Sequence, residues 1–287
     1  MTRQLVFASV LLSSCLTASL PLQAGEIPDY MRQWEFGINA EEDDGPDYFA
    51  DLILPLYRHP DNERAWFIEP RTRHADGETL INFGTGIRQL IRDRSWLLGA
   101  NLFYDHDLEH SHYRLGWGFE ALSSYAELRS NFYWGISPER QTFATATSRQ
   151  FAKAVDGVDV ELGAPVPYYS RLKLFGGLNW YNFEEFDNRY GWMFRAEFKP
   201  LPLVVIDGLI SDDTNSNVDW GITVALRIPL GANAPEHARP IFALDDTMFP
   251  QSDASEHLFA LVERHHEIVV EKRTQTGTMS VQVLRGT

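Results

Sequence analysis

Residues 80–136 read LINFGTGIRQL (80–90), IRDRS (91–95), WLLGANLFYDHD (96–107), LEHS (108–111), HYRLGWGFEALS (112–123) and SYAELRSNFYWGI (124–136). In the fifth segment Tyr113, Leu115, Trp117, Phe119 and Ala121 alternate with His112, Arg114, Gly116, Gly118 and Glu120. One set is apolar; the other is polar or lacks a side chain. Period-two alternation of this kind is a strand with one oily and one wet face. The neighbours repeat it. Trp96, Leu98, Ala100, Leu102 and Tyr104 oppose Leu97, Gly99, Asn101, Phe103 and Asp105, and Ala126, Leu128, Ser130, Phe132 and Trp134 oppose Glu127, Arg129, Asn131, Tyr133 and Gly135. A soluble sandwich would fill its apolar face with aliphatics. Here the apolar face ends in Trp, Tyr and Phe, and the opposite face is charged and glycine-rich. That pattern predicts a transmembrane antiparallel β-barrel with lipid outside, a wet lumen and aromatic girdles at both interfaces.

Working outward, further alternating runs cover residues 34–40, 48–57, 65–71 and 80–89, then 158–166, 171–183, 190–198, 203–210 and 219–230. With the three strands above, the all-β barrel has about twelve strands over residues 32–230, an even number, which returns both barrel ends to one side. Run 203–210 is apolar on both faces. Connections alternate in character. Short, often Pro-containing or basic ones (59–64, 92–94, 123–124, 165–169, 199–202) alternate with longer acidic or polar ones, and 137–156 is the longest and has no strong periodicity. Short periplasmic turns and long outer loops follow. The lumen face carries both charge signs: Arg88, Arg114, Glu120, Glu127, Arg129, Glu161, Arg171, Arg195, Glu197 and Arg227. These residues either pair across strands to hold the wall or form a polar sleeve for an extended chain.

The chain of 287 residues carries a formal charge of -15, which with no basic run excludes nucleic acid as a partner. Mean hydropathy is -0.27. Residues 1–24 read as a signal peptide, with Arg3, an apolar 5–12 core and cleavage after Ala24. The alternative is lipoprotein processing at Cys15, the single cysteine. Residues 231–253 are Pro-, Ala- and Asp-rich linker. Ser255 is placed to cap a short helix over 255–264, and 267–284 reads as a terminal hairpin turning at 274–277. The expected tail, 231–287, thus has a short helix and a hairpin.

The segments DLILPLY (51–57), NFGTGIR (82–88), WLLGANLFYDHD (96–107), YRLGWGFEA (113–121), GVDVELGAPVP (157–167) and FALVERHHEIVVEKR (259–273) resemble, in order, the translocator domain of the intimin and invasin family, the inverse autotransporters. The resemblance implies a twelve-stranded outer-membrane barrel whose linker threads back through the lumen and carries an adhesive passenger outward. Two departures are expected. No room precedes the first strand for a peptidoglycan-binding module. Thr287 comes only 14 residues after Arg273, too few for an immunoglobulin-like passenger. Asp219, Gly221, Val224 and Leu226 resemble the last-strand signal for the barrel-assembly machinery. The implied function is a translocator that moves its own C-terminal segment; the alternative is a small pore or structural barrel. Expected partners are outer-membrane lipid and lipopolysaccharide, the assembly machinery and periplasmic chaperones, with a monomeric barrel.

Asp105, Asp107, His110 and His112 cluster in the sequence around one connection, and two carboxylates with two imidazoles are types that bind a divalent metal or activate water. The ordinary reading is a polar loop, so no catalytic, metal or cofactor residue is assigned and no enzyme activity is expected.

Overall fold

The computed structural model describes residues 33–41, 45–61, 63–145, 147–214, 218–229, 240–250 and 253–276. The signal-peptide reading, with Ala24 and Cys15, lies outside these residues, as do 231–239 and 251–252 of the linker and the second arm of the expected hairpin.

Twelve strands close a barrel: β1 (Gln33–Glu41), β2 (Asp47–Arg58), β3 (Arg64–Ala75), β4 (Glu78–Ile91), β5 (Trp96–Asp107), β6 (Tyr113–Ser123), β7 (Glu127–Gly135), β10 (Asp156–Val166), β11 (Tyr169–Asn182), β12 (Arg189–Leu201), β13 (Val204–Asp213) and β14 (Asp219–Pro229). Each pairs antiparallel with its neighbour, and β14 pairs β1 from Gln33↔Pro229 to Glu41↔Gly221, so no edge is left open. Closure is what permits a sheet in lipid, where an unpaired backbone group has no water to bond. All twelve runs read from alternation are present. The doubly apolar run forms β13, whose Val205 packs with Phe49 and Ala225. The outward set is Ile87, Leu98, Leu102, Trp117, Phe119, Leu128, Leu162, Leu178, Phe194 and Ile222, all exposed on the barrel surface. Tyr57, Trp66 and Tyr125 ring one end of this belt, and Tyr48, Tyr104, Trp134, Tyr190, Trp192 and Trp220 ring the other, as interfacial aromatics do.

The inward glycines have a structural reason. Gly37 stands opposite Phe49, Gly84 opposite Phe103, Gly86 opposite Phe67, Gly157 opposite Tyr181 and Gly163 opposite Phe175. In each case the ring lies where a Cβ would sit, within 2.0–2.4 Å. The glycine leaves a slot and the neighbouring strand fills it, so the lumen wall is lined by rings lying flat on backbone.

Three expectations are corrected. The connection over 137–156 is not aperiodic: it holds a hairpin, β8 (Arg140–Ala144) with β9 (Ser148–Ala154), standing outside the barrel. β15 (Val270–Thr276) adds to β9 in register from Val270↔Ala154 to Thr276↔Ser148, so residues 274–276 are strand, not turn. The expected helix over 255–264 is only a 3-10 turn, Ala254–His257, capped by Asp253; the residues after it run without helix because the barrel wall takes their backbone groups, as described below. At the loop end the β3–β4 connection is a two-residue turn through Asp76 and Gly77, both with positive φ.

The glycine–ring pairs predict that Gly163→Val, which forces Phe175 off its slot, costs about 1–3 kcal/mol. A lowered urea midpoint of the heat-modifiable folded form would show it, whereas Gly176→Val, beside which nothing lies within 4 Å, should be near neutral.

Candidate functional site, a lumen threaded by the chain's own tail

Residues 253–269 enter at the end of the short turns and leave at the end of the loops. At entry, Ala254 N–H donates to the Arg94 carbonyl in the β4–β5 turn (2.8 Å), and Arg94 Nε meets Asp253 Oδ2 at 3.1 Å. Leu258, Phe259, Leu261 and Val262 then pack against Ile53, Ala65, Phe67, Leu90, Leu97, Phe103 and Leu122. The wet lumen read from the sequence is therefore wet only in part: its turn end is an apolar core half supplied by the tail.

Above this core the wall bonds the tail's backbone. Arg88 Nη1 donates to the carbonyls of Leu258 (3.3 Å) and Ala260 (2.5 Å). Val262 N–H donates to both oxygens of the Glu69 carboxylate (3.2 and 3.1 Å). Asn131 Nδ2 donates to the Glu263 carbonyl (3.4 Å) and His265 N–H to the Tyr133 hydroxyl (2.8 Å). Arg114 Nη2 donates to the carbonyls of His265 (2.8 Å) and His266 (3.1 Å), and Asn82 Nδ2 to that of His266 (3.1 Å). These partners replace the i to i−4 bonds of the expected helix.

One side-chain lock sits at mid-lumen. Arg264 grips both oxygens of Asp105, Nη1 to Oδ1 at 2.8 Å and Nη2 to Oδ2 at 2.9 Å. Arg114 Nε donates to Asp105 Oδ2 (2.8 Å) and Asn82 Nδ2 to Oδ1 (2.8 Å). All three charged side chains are at most 1% exposed. The Arg264 guanidinium lies 4.4 Å over the Phe103 ring, and Arg114 lies 4.2 Å over Tyr133, each a desolvated cation on a ring face.

The expected lumen residues lie as follows. Arg88 pairs with Glu120 (2.5 Å) and also holds the tail. Glu127 lies between Arg129 and Lys173, and Arg129 reaches Glu161 (3.1 Å). Arg195 bridges Glu161 (2.9 Å) and Asp207 (3.0 Å), and stands 4.0 Å from Glu263 of the tail. Glu197 pairs with Lys199, Arg227 with Glu35, and Arg171 donates to the Pro200 carbonyl. Wall pairing and a sleeve for the tail are both present, divided by position: Arg88 and Arg114 serve the tail, while Glu197 and Arg227 pair with other groups of the wall. Of the last-strand residues, Val224 and Leu226 face outward on the strand that closes the barrel on β1, and Gly221 is buried on the lumen side.

The Asp/His cluster of the sequence is divided. Asp105 is the lumen lock. Asp107 and His110 meet Glu78 at the loop end, with His110 Nδ1 3.1 Å from Asp107 Oδ2 and 3.6 Å from Glu78 Oε1. His112 is buried beside Ser137, and that burial pushes its imidazole pKa down. Sequence reasoning missed Asp105, Arg264, Tyr133 and Asn82 as one unit; the inward parity of Asp105 was the available signal.

At the exit, Glu271 accepts from the backbone N–H groups of Glu184 (3.0 Å), Glu185 (2.9 Å) and Phe186 (3.0 Å) in the β11–β12 loop. Arg73 pairs with Glu267. Arg273 reaches Glu139 at 2.5 and 2.6 Å.

Residues 21–265 match the inverse autotransporter β-domain. The chain belongs to that family. Among inverse autotransporter relatives, it is 25% identical to the invasin of Yersinia enterocolitica over 245 residues, 78% of this chain and 27% of that protein. It is 37% identical to the inverse autotransporter adhesin YeeJ of Escherichia coli K12 over 127 residues, 42% of this chain and 5% of that one. The chain thus spans about a quarter or less of these two relatives. A solved structure described as "Unveiling the Mechanism Behind the in-meso Crystallization of Membrane Proteins" superposes with a TM-score of 0.69, covering 84% of this chain and all of that one at 19% identity, which shows the barrel fold.

The lock gives an asymmetric prediction. Asp105→Ala leaves two buried guanidiniums without their anion and should cost about 3–5 kcal/mol. Arg264→Met keeps the Asp105–Arg114 pair and should cost less, roughly 1–3 kcal/mol. Urea unfolding of the two variants should show that order. The exit has a pH dependence. The Arg273 hydrogen bonds hold the Glu139 carboxyl below its ordinary value of 4.5. A depressed acid stabilises above its unfolded pKa and loses that contribution as pH falls through the folded one. Protease cutting of the β8–β9 hairpin should therefore rise below about pH 4.5, and Glu139→Gln should show the raised rate at neutral pH.

Proposed function

We propose that this inverse autotransporter β-domain is an outer-membrane translocator that passes its own C-terminal segment through its lumen and holds it at the cell surface. The observation that carries the reading is the tail, one extended strand of chain running from the turn end to the loop end of the barrel with its backbone bonded to the wall. The turn end, where both barrel termini lie, is then periplasmic, and the β15–β9 pairing is surface-exposed. The adhesin description of YeeJ makes attachment the setting in which a displayed tail would serve. On this reading the outward belt meets outer-membrane lipid and lipopolysaccharide. Periplasmic chaperones deliver the chain, and the assembly machinery reads Asp219, Gly221, Val224 and Leu226 on the closing strand. The barrel acts as a monomer.

The rival reading is a small pore or structural barrel. An epitope placed after Thr287 should be labelled by antibody on intact cells. Labelling only after the outer membrane is permeabilised would overturn the translocator reading. Deletion of residues 253–287 should raise single-channel conductance in planar bilayers, because Leu258, Phe259, Leu261 and Val262 leave the lumen; an unchanged conductance would mean the tail is not the plug.

A further inference from the structure

Before it enters the lumen, the chain touches the barrel rim at a second place. Residues 240–250 are tied to the β10–β11 turn by four hydrogen bonds. Tyr168 N–H donates to the Met248 carbonyl (2.9 Å) and Asp245 N–H to the Tyr168 carbonyl (2.8 Å). Ser170 N–H donates to Asp245 Oδ2 (2.7 Å), and the Tyr169 hydroxyl to the Ile241 carbonyl (2.8 Å). The segment is pinned, yet it presents apolar side chains outward: Phe242 is 86% exposed, Leu244 68% and Met248 49%, with Ile241 and Tyr168 beside them. A soluble surface does not gather such a set without something to cover it.

Continuity with the lipid belt identifies the cover. The Tyr169 ring lies 6.3 Å from the ring of Phe198, which shares its parity along β12 with the outward Trp192 and Phe194. Tyr57, Trp66 and Tyr125 expose aromatic rings at the same end, where the other short turns lie. Aromatic and apolar groups at this level sit at the boundary of headgroups and acyl chains. Asp246 and Thr247 are exposed in the same segment, giving it a polar side for water or headgroups.

We propose that residues 241–248 form an interfacial foot, with Ile241, Phe242, Leu244 and Met248 seated in the phospholipid leaflet at the turn end of the barrel. The inference rests on the barrel standing in a bilayer, not on secretion. Zwitterionic phospholipid suits the foot, because Asp246 would be repelled by an anionic surface. The foot fixes where the tail begins, at the β10–β11 turn, while Ala254 meets the rim at Arg94 in the β4–β5 turn, four strands further round. The tail is thereby held at two places on the entrance rim before it turns inward.

The test uses the full chain with Cys15→Ser, reconstituted in phosphatidylcholine vesicles and scored as folded by heat modifiability. A nitroxide is placed at Phe242→Cys and, in a second variant, at Leu244→Cys. Power-saturation EPR compares access of oxygen, which partitions into lipid, with access of a water-soluble nickel chelate. Leu178→Cys on the belt is the lipid reference and Asp61→Cys in the β2–β3 turn the aqueous one. Oxygen access at 242 and 244 several-fold above chelate access, near the Leu178 value, is the expected result. Chelate access equal to that at Asp61 would overturn the foot while leaving the barrel intact. Protection from both reagents would also overturn it, since it means packing against protein. Chelate access at Leu178 as well would remove the bilayer, and the proposal with it.

Discussion

One carboxylate joins the wall of this barrel to the chain that runs through it. Asp105 is fully buried and shared by two guanidiniums, Arg114 of the wall and Arg264 of the tail. In a low-dielectric interior an unpaired charge is far costlier than a paired one is beneficial. The cluster therefore favours states in which all three groups are together and penalises those that separate Asp105 from both arginines. The rings of Phe103 and Tyr133 beneath the guanidiniums keep water away, which raises the penalty. The Phe103 ring in turn fills the slot left by Gly84, so a glycine in β4 is a precondition for the lock that the neighbouring β5 carries at Asp105.

The lipid makes the wall legible. Each outward position must be apolar and each strand must pair on both sides, so parity alone gives the twelve strands, their order and the inward charges. The same parity placed Leu90, Leu97, Phe103 and Leu122 inside, but a lumen read one strand at a time has no reason to be greasy. Their partner, residues 258–262, lies far along the chain. The tail failed for a related reason. Leu258, Phe259, Leu261 and Val262 share one side at helical spacing, and Ser255 is a good cap, so a helix is the local preference. The wall outweighs it by offering Arg88, Glu69, Asn131, Tyr133 and Arg114 to the backbone. The β8–β9 hairpin was hidden because RQTFA (140–144) and SRQFAKA (148–154) are short and mix polar residues into both faces; they are held by pairing to each other and to β15. The Asp/His cluster divides by depth: Asp105 lies inside the lumen on Arg114, while Asp107, at the end of β5, and His110, in the loop beyond it, lie at the rim.

The wall's grip on the tail is mostly blind to side chains. Arg88, Glu69, Asn131, Tyr133, Arg114 and Asn82 all bond backbone N–H or carbonyl groups. Such contacts are available to any extended segment and can be remade at each step as a chain slides. The side-chain contacts are different: Leu258 to Val262 in the apolar core, Arg264 on Asp105, Glu267 on Arg73 and Glu271 on the loop amides. They occur together only when residue 264 is level with residue 105. On the translocator reading proposed above, such a lumen, bonding any backbone along its length but one sequence in a single register, conducts a chain and then stops it. The stop is specified by the tail's sequence against Asp105, so a shift of the tail by one residue would place a like-charged or a neutral group against that carboxylate: Glu263 in one direction and His265 in the other. Repulsion between Glu263 and Asp105 disfavours the first register, and the second leaves a buried Arg264 without its anion. The charge order Glu263–Arg264–His265 thus defines one resting place along an otherwise even path.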